Sequence, residues 1–177
     1  MENSSKNIVY SQKFFDVEEE HIVLPGGKKR VYSTVRRKPI SVIFPLLENY
    51  DLYLISQYRH LFKKNILEAI AGHADGKETP IDTAKRELVE ETGLSAKKWD
   101  KIIEFNASAS VIDSYTTVFL ARDIMEGLPS PEEDEDIKLV RVPLKEALDK
   151  VLSGEITTAS TIIGILLLDK MYREKRL

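Results

Sequence analysis

The segment from 72 to 94 constrains the fold of this 177-residue chain more than any other part of the sequence. Thr79 is a good N-cap and Pro80 fits the first helical position, where its missing N–H is not needed. Gly93 stands where a helix commonly ends, because glycine readily adopts the left-handed backbone conformation of a C-cap. The segment therefore predicts a short, well-delimited helix over about 80 to 92.

Three glutamates share one face of this helix. Glu87, Glu90 and Glu91 are spaced i, i+3 and i+4, so their side chains fall within an arc of roughly 100°. Carboxylates this close repel one another, and a bound cation would remove the repulsion. Oxygen-only ligands select a hard cation such as Mg²⁺ or Mn²⁺. An isolated cluster of this kind is usually a solvated acidic face, so the neighbouring residues must decide between the two interpretations.

The neighbouring residues form a signature around the glutamates. Gly72, Glu78 and the run from Arg86 to Leu94 match the pattern G-x5-E-x7-R-E-U-x-E-E-x-G-U, with U aliphatic, at every defined position. This pattern is the Nudix box, and the chain resembles the Nudix hydrolase family. The resemblance implies an α/β fold, an α/β/α sandwich with a mixed sheet, in which the box forms a loop, a helix and a second loop.

The resemblance also implies a metal site. Glu87, Glu90 and Glu91 would bind Mg²⁺, with Mn²⁺ as an alternative. The backbone carbonyl of Ala71 would face a metal ion, because Gly72 lets the backbone turn at this point. Water attack on a diphosphate requires negative charge to be neutralised on the phosphate oxygens, and divalent cations supply that neutralisation.

Further roles follow from the same resemblance. Arg86 and Glu78 would form an ion pair that orients the box glutamates, which places Arg86 with Glu90 in the catalytic machinery. The acidic segment 131–136 would supply the general base, with Glu133 as the base and Glu135 as a supporting carboxylate. The alternative for this segment is a solvated acidic turn.

The resemblance extends into one branch of the family. The stretches 57–59 and 67–72 are similar to the sequence that leads into the box in ADP-ribose pyrophosphatases and related nucleoside-diphosphate-sugar hydrolases. This implies hydrolysis of ADP-ribose to AMP and ribose 5-phosphate, or of a nucleoside diphosphate sugar. Segment 106–114 lacks the proline, glycine and glutamate found in many relatives near the distal part of the substrate, so the base and the sugar stay open. The alternatives are a pyrophosphatase for dinucleotides or nucleoside triphosphates and a non-catalytic nucleotide-sugar sensor.

Two charged residues ahead of the box are candidates for substrate binding. Arg59 can hold a phosphate with two parallel hydrogen bonds, although an arginine at the end of a strand is often a surface ion-pair partner. Glu68 can pair with Arg59 or reach a metal ion.

Composition excludes several other functions. The formal net charge of −3 provides no basic field for nucleic acid. The chain has no cysteine, which rules out disulfides and thiolate metal sites. The longest apolar run, 162–168, is too short to cross a bilayer. We therefore expect a cytoplasmic protein with a small-molecule substrate and no nucleic-acid or membrane partner.

The sequence divides into residues 1–40, an N-terminal β extension expected to form a homodimer, and residues 41–177, the Nudix hydrolase domain. The extension contains a predicted hairpin at 21–37, with the turn at Pro25-Gly26-Gly27 and a first strand that the stretch near 14–17 extends. A second pair of strands, 41–47 and 51–59, is joined by a turn-like sequence at 48–50. Further strands are predicted at 101–106, 115–122 and 137–142, and helices at 144–153 and 158–174.

Overall fold

The structure is a computed structural model that describes residues 5–128 and 137–177. Its secondary structure follows the chain in a mostly β order, with one helix inside the predicted box and two near the C-terminus. The strands are β1 (Ser5–Ser11), β2 (Phe15–Val23), β3 (Lys29–Arg37), β4 (Ile40–Pro45), β5 (Asp51–Arg59), β6 (Lys64–Glu68), β7 (Ile70–His73), β8 (Ser95–Asn106), β9 (Ile112–Asp113), β10 (Tyr115–Met125) and β11 (Ile137–Pro143), and the helices are α1 (Pro80–Thr92), α2 (Leu144–Leu152) and α3 (Ala159–Arg173).

Two central sheets carry the domain. One has the strand order β7-β4-β10-β8 and is mixed. β10 runs parallel to β4, whereas β4 with β7 and β10 with β8 are antiparallel. The other has the order β11-β5-β6 and is antiparallel. None of the helices in the described ranges is long and apolar enough to span a membrane.

Alternating side chains of β4 divide the core into two layers. Val42 and Phe44 pack with residues of α2 and α3, whereas Ile43 packs with residues of α1. Successive side chains of a strand point to opposite faces, so this division places α1 on one side of the sheets and the C-terminal helices on the other. The predicted α/β/α sandwich is confirmed.

The predicted second pair of strands is separated in the structure. β4 pairs with β7 and β10, and β5 pairs with β6 and β11, so the two strands belong to different sheets. A single bridge between Leu46 and Leu52 is what remains of the expected pairing. The prediction failed because a run of buried β-prone residues identifies a strand but does not specify which strand lies beside it.

The N-terminal extension forms its own antiparallel sheet of β1, β2 and β3. Gly26 and Gly27 have φ values of 92° and 83° and supply the turn of the predicted hairpin. The short strand β9 joins this sheet parallel to β3. β1 was not predicted, because every residue in it is exposed and its sequence lacks a buried face.

Two strands are longer than their sequence indicated. β8 begins at Ser95 and β10 ends at Met125. β8 lies at the edge of its sheet and carries Lys97, Lys98 and Lys101, and charged residues at a sheet edge weaken the apolar pattern while they discourage pairing with other chains.

Candidate active site

The helix α1 holds the box glutamates at the predicted place. Thr79 caps its N-terminus by accepting a hydrogen bond from the backbone N–H of Asp82. Gly93 ends it with φ 70°, and its N–H bonds to the carbonyl of Val89 at 2.8 Å. Leu88 is fully buried and fixes the helix against the sheets. The prediction of a helix over about 80 to 92 is therefore confirmed.

Arg86 is the centre of a hydrogen-bond network that spans the box. Its Nε and Nη2 donate to the two carboxylate oxygens of Glu78, at 2.9 and 3.1 Å. Its Nη1 donates to both Glu87 and Glu90, each at 2.8 Å. Its Nη2 also donates to the backbone carbonyl of His73 at 2.9 Å. The ion pair expected between Arg86 and Glu78 is present, and one guanidinium holds two box glutamates side by side.

Glu78 is held as an anion by this network. The hydrogen bonds from Arg86, together with those from the backbone N–H of Asp75 and the hydroxyl of Thr83, each 3.0 Å away, lower its pKa to about 2. The loop before α1 is therefore tied to the helix through a charged carboxylate.

Gly72 has a steric role that differs from the predicted one. It lies within β7, opposite Ser41 of β4, and its φ is not in the left-handed region, so no turn requires a glycine. A Cβ built on Gly72 would lie 1.8 Å from Cδ of Glu87 and 1.9 Å from its Oε1. The carboxylate of Glu87 thus packs directly over the backbone of β7, in the space that any other residue would fill.

The donor set fits a hard divalent cation. Glu87 and Glu90 share one donor nitrogen, Glu91 is buried with a relative exposure of 8%, and the cradle at Gly72 brings the Glu87 carboxylate against the strand that contains Ala71. Carboxylate and carbonyl oxygens are the ligands that Mg²⁺ prefers. In the described ranges no three acidic or imidazole side chains are arranged as a complete metal site.

Arg59 and Glu68 form a second charged pair near the box. Nε of Arg59 donates to Oε1 of Glu68 at 2.6 Å, and the Glu68 side chain is only 9% exposed. Burial raises the pKa of Glu68, and the nearby Arg59 opposes that rise. Of the two roles considered for Glu68, the structure shows the pairing with Arg59.

His73 connects the N-terminal extension to the box. Its Nε2 accepts a hydrogen bond from Arg37 at 3.0 Å, and its ring lies 5.3 Å from that of Phe14. Burial lowers the pKa of His73, and the positive charge of Arg37 lowers it further. No local sequence pattern indicates this contact, because it depends on how the end of β3 lies against the end of β7.

Glu133 and Glu135, the predicted base and its supporting carboxylate, lie outside the described residues. The described chain on either side of them is close to the box. A Cβ on Gly127 would lie 2.8 Å from the carbonyl oxygen of Gly93, so the chain passes the C-terminal end of α1 there. On the other side, β11 begins at Ile137, which pairs with Gln57 of β5.

Comparison with known proteins agrees with this architecture. The model of the NUDIX domain matches residues 36–159. The chain is 32% identical to an ADP-ribose pyrophosphatase of Bacillus subtilis, over 91% of this chain and 88% of that protein. It is 30% identical to an ADP-ribose pyrophosphatase of Mycobacterium tuberculosis, over 93% of this chain and 81% of that protein. The crystal structure of an ADP compounds hydrolase superposes with a TM-score of 0.81 at 23% identity, covering 98% of this chain and 95% of that one, which shows a shared fold.

The chain therefore belongs to the Nudix family. Within that family it falls in the branch of the ADP-ribose pyrophosphatases, and it is a hydrolase of nucleoside diphosphate derivatives. Enzymes of this family require a divalent metal ion. The predicted family, fold class and type of enzyme are confirmed.

Proposed function

We propose that this enzyme hydrolyses ADP-ribose to AMP and ribose 5-phosphate with Mg²⁺, and that Mn²⁺ can replace Mg²⁺. The relatives from Bacillus subtilis and Mycobacterium tuberculosis, which match about nine-tenths of the chain, support this substrate. The observation that carries the proposal is the arrangement of Glu87 and Glu90 around Arg86.

In this proposal Glu87, Glu90, Glu91 and the carbonyl of Ala71 hold the metal ions. Bound divalent cations would neutralise charge on the diphosphate and polarise its phosphorus for attack by water. Arg86 is the positioning residue. Its hydrogen bonds to Glu87 and Glu90 keep two carboxylates on one side of α1 despite their repulsion.

Arg59 is proposed to bind the diphosphate. Its Nε is held by Glu68, and the rest of its guanidinium makes no hydrogen bond to any other described residue. A guanidinium fixed at one nitrogen presents its remaining N–H groups in a defined direction, which suits recognition of phosphate oxygens. Glu68 would act by orienting Arg59.

Glu133 is proposed as the general base that takes a proton from the attacking water, and Glu135 as a supporting carboxylate. The support is the position of Gly127 and Ile137, which bring the flanking chain to the C-terminal end of α1 and to β5. The variant Glu133→Gln should lower kcat far more than it changes KM. If Glu133→Gln keeps wild-type kcat while Glu135→Gln loses it, the two roles are reversed.

The extension of residues 1–40 is proposed to form a homodimer, with residues 41–177 as the catalytic domain. The support is the apolar surface that the extension exposes in a single chain. A large exposed apolar patch commonly marks a contact with another protein. The exposed apolar side chains of the extension are Ile8, Val9, Tyr10, Phe14, Val23, Val31 and Tyr32.

We place the enzyme in the cytoplasm, where a small nucleotide derivative would be its substrate.

A panel of substrates tests the proposed reaction. The purified enzyme is incubated with Mg²⁺ and ADP-ribose, nucleoside diphosphate sugars, dinucleotides or nucleoside triphosphates, and the products are identified by mass. We expect AMP and ribose 5-phosphate from ADP-ribose, and no products when a chelator is in excess. Faster cleavage of a dinucleotide or a triphosphate would show that this compound, and not ADP-ribose, is the preferred substrate. Binding without cleavage would indicate a sensor.

A further inference from the structure

Gln57 of β5 is a buried polar residue with an unsatisfied oxygen. Its relative exposure is 8%, and its Oε1 accepts no hydrogen bond from any residue in the described ranges. Almost all buried polar groups in native proteins have a partner, because an unsatisfied one destabilises the fold. A carboxamide in this state therefore requires an explanation.

The strand register places Gln57 on the face of the sheet that looks toward the box helix. Side chains alternate along a strand, so Gln57 shares its face with Ile55 and Arg59. Ile55 packs in the same core cluster as Leu88 of α1. Glu68 pairs directly with Ile55 and is thus a diagonal neighbour of Gln57 on that face. Gln57 therefore lies on the same face of β5 and β6 as the Arg59–Glu68 pair.

None of the described residues beside Gln57 donates a hydrogen bond to its side-chain oxygen. Its direct partners across the sheet are Ile66 on β6 and Ile137 on β11, and both have hydrocarbon side chains. Arg59 lies two residues along the strand, with its Cα about 7 Å from that of Gln57. Its Nε donates a hydrogen bond to Glu68. Gln57 therefore stands between two hydrocarbon side chains and two residues from the arginine proposed to bind the diphosphate.

A carboxamide oxygen can only accept a hydrogen bond, which restricts what it can recognise. Ionised phosphate oxygens carry no proton and would repel it. In a nucleoside diphosphate derivative of ribose, the donors nearest the diphosphate are the ribose hydroxyls, since each ribose is attached through its 5′ oxygen. When Arg59 holds the diphosphate, a ribose hydroxyl is the nearest substrate group that can donate a hydrogen bond to Gln57.

We propose that Oε1 of Gln57 accepts a hydrogen bond from a ribose hydroxyl of the substrate, which makes Gln57 a specificity-determining residue. The proposal rests on the proposed function, because it takes Arg59 as the diphosphate ligand. A site that hydrogen-bonds a substrate hydroxyl discriminates against analogues that lack it, because the buried acceptor is then left without a partner. Because Oε1 is shielded from solvent in the free enzyme, the Gln57 side chain has to turn toward the substrate to gain this partner.

The test combines stability with binding in the variant Gln57→Met. Methionine has nearly the same length and removes the unsatisfied oxygen, so Tm should stay unchanged or rise by about 2–4 °C. Affinity is measured by calorimetry with Ca²⁺ and the α,β-methylene analogues of ADP-ribose and of ADP, which resist cleavage. Loss of one hydrogen bond should raise Kd about tenfold. Ser56→Ala, the adjacent position on the opposite face of β5, should change neither Tm nor Kd.

The two analogues show which ribose is bound. A rise in Kd for both identifies the ribose of the nucleoside, and a rise for the ADP-ribose analogue alone identifies the distal ribose. An unchanged Kd for both, or a rise in Kd together with a lower Tm, would overturn the proposal. If the wild-type enzyme binds neither analogue, the proposed substrate itself fails, and the role of Gln57 fails with it.

Discussion

The Nudix box and the N-terminal extension differ in how far a single chain provides contacts for their side chains. In the box, Arg86 bonds to four other residues and Leu88 is fully buried, all within one chain. In the extension, every residue of β1 is exposed, and Ile8 keeps 60% of its surface in water. The box is a complete local structure, whereas the extension has an apolar surface that a single chain leaves uncovered. The catalytic geometry and the proposed dimer therefore depend on different interactions.

His73 is where the two regions meet. Its carbonyl accepts a hydrogen bond from Arg86 of the box, and its ring contacts Arg37 and Phe14 of the extension. Lys38 and Asp75 add a second link, with 3.3 Å between their charged atoms. Substitutions can separate what each region contributes, and the expected effects below run from the largest to the smallest.

The variant Glu87→Gln should have the largest effect, and on catalysis alone. It removes a metal-binding charge, so kcat should fall by at least about 100-fold, equivalent to roughly 2.7 kcal/mol. Tm should hardly change, because the amide can still accept the hydrogen bond from Arg86. Steady-state kinetics and thermal unfolding measure both. A kcat near that of the wild type would remove Glu87 from the metal site.

The variant Gly72→Ala should damage the same site through packing. The added Cβ falls 1.8 Å from Cδ of Glu87, and the flexible glutamate must move away. We expect kcat to fall about tenfold or more, with a small change in Tm. Gly76→Ala is the control, since its Cβ meets open space at φ 57°. It should lower Tm slightly without lowering kcat, and equal losses of kcat in both variants would refute the steric role of Gly72.

The variant Ile8→Glu tests the extension. If a partner chain covers Ile8, a buried charge should weaken the dimer, with Kd for association rising about tenfold or more. Light scattering over a range of concentrations measures the change. Leu152→Glu is the matched control, because Leu152 is 71% exposed at the end of α2 and lies outside the extension. A wild-type protein that stays monomeric at micromolar concentration would contradict the proposed dimer.

The variant Glu78→Gln should have the smallest effect, and one that depends on pH. Hydrogen bonds, chiefly from Arg86, lower the pKa of Glu78 to about 2 in the folded protein, from 4.5 for the free side chain. A lowered pKa means that the ion pair stabilises the fold above about pH 4.5 and that this contribution is lost as the pH falls toward 2. The wild type should therefore exceed the variant in Tm by a few degrees at pH 7. A difference in Tm that does not shrink between pH 5 and pH 3 would contradict the ion pair.

Much of the catalytic helix could be predicted because its signals are local. Thr79, Pro80 and Gly93 act within a turn of the residues that they cap, and the spacing of the glutamates follows from the helical repeat. β6 and β7 were not predicted, but the other five strands of the central sheets could be located for the same reason. Their partners could not, since β4 and β5 have similar apolar sequences and yet join different sheets.

Other features of the site required long-range contacts. The network of Arg86 includes a backbone carbonyl of β7, and Gly72 is needed because Glu87 of α1 lies over it. The buried oxygen of Gln57 depends on the residues of β6 and β11 that flank it. None of these contacts follows a sequence period, because each joins elements whose distance apart is set only when the sheets and α1 pack together.

The sequence by itself determined the family, the bounds of α1 and the face that carries Glu87, Glu90 and Glu91, because helix caps and the helical repeat act over a few residues. The tertiary structure decided the rest. It assigned β4 and β5 to different sheets, packed Glu87 against the backbone of Gly72 and left the side-chain oxygen of Gln57 without a partner among the described residues. Strand pairing and close packing are settled by the whole chain at once, since each contact joins residues that are distant in sequence and is stable only when the others have formed.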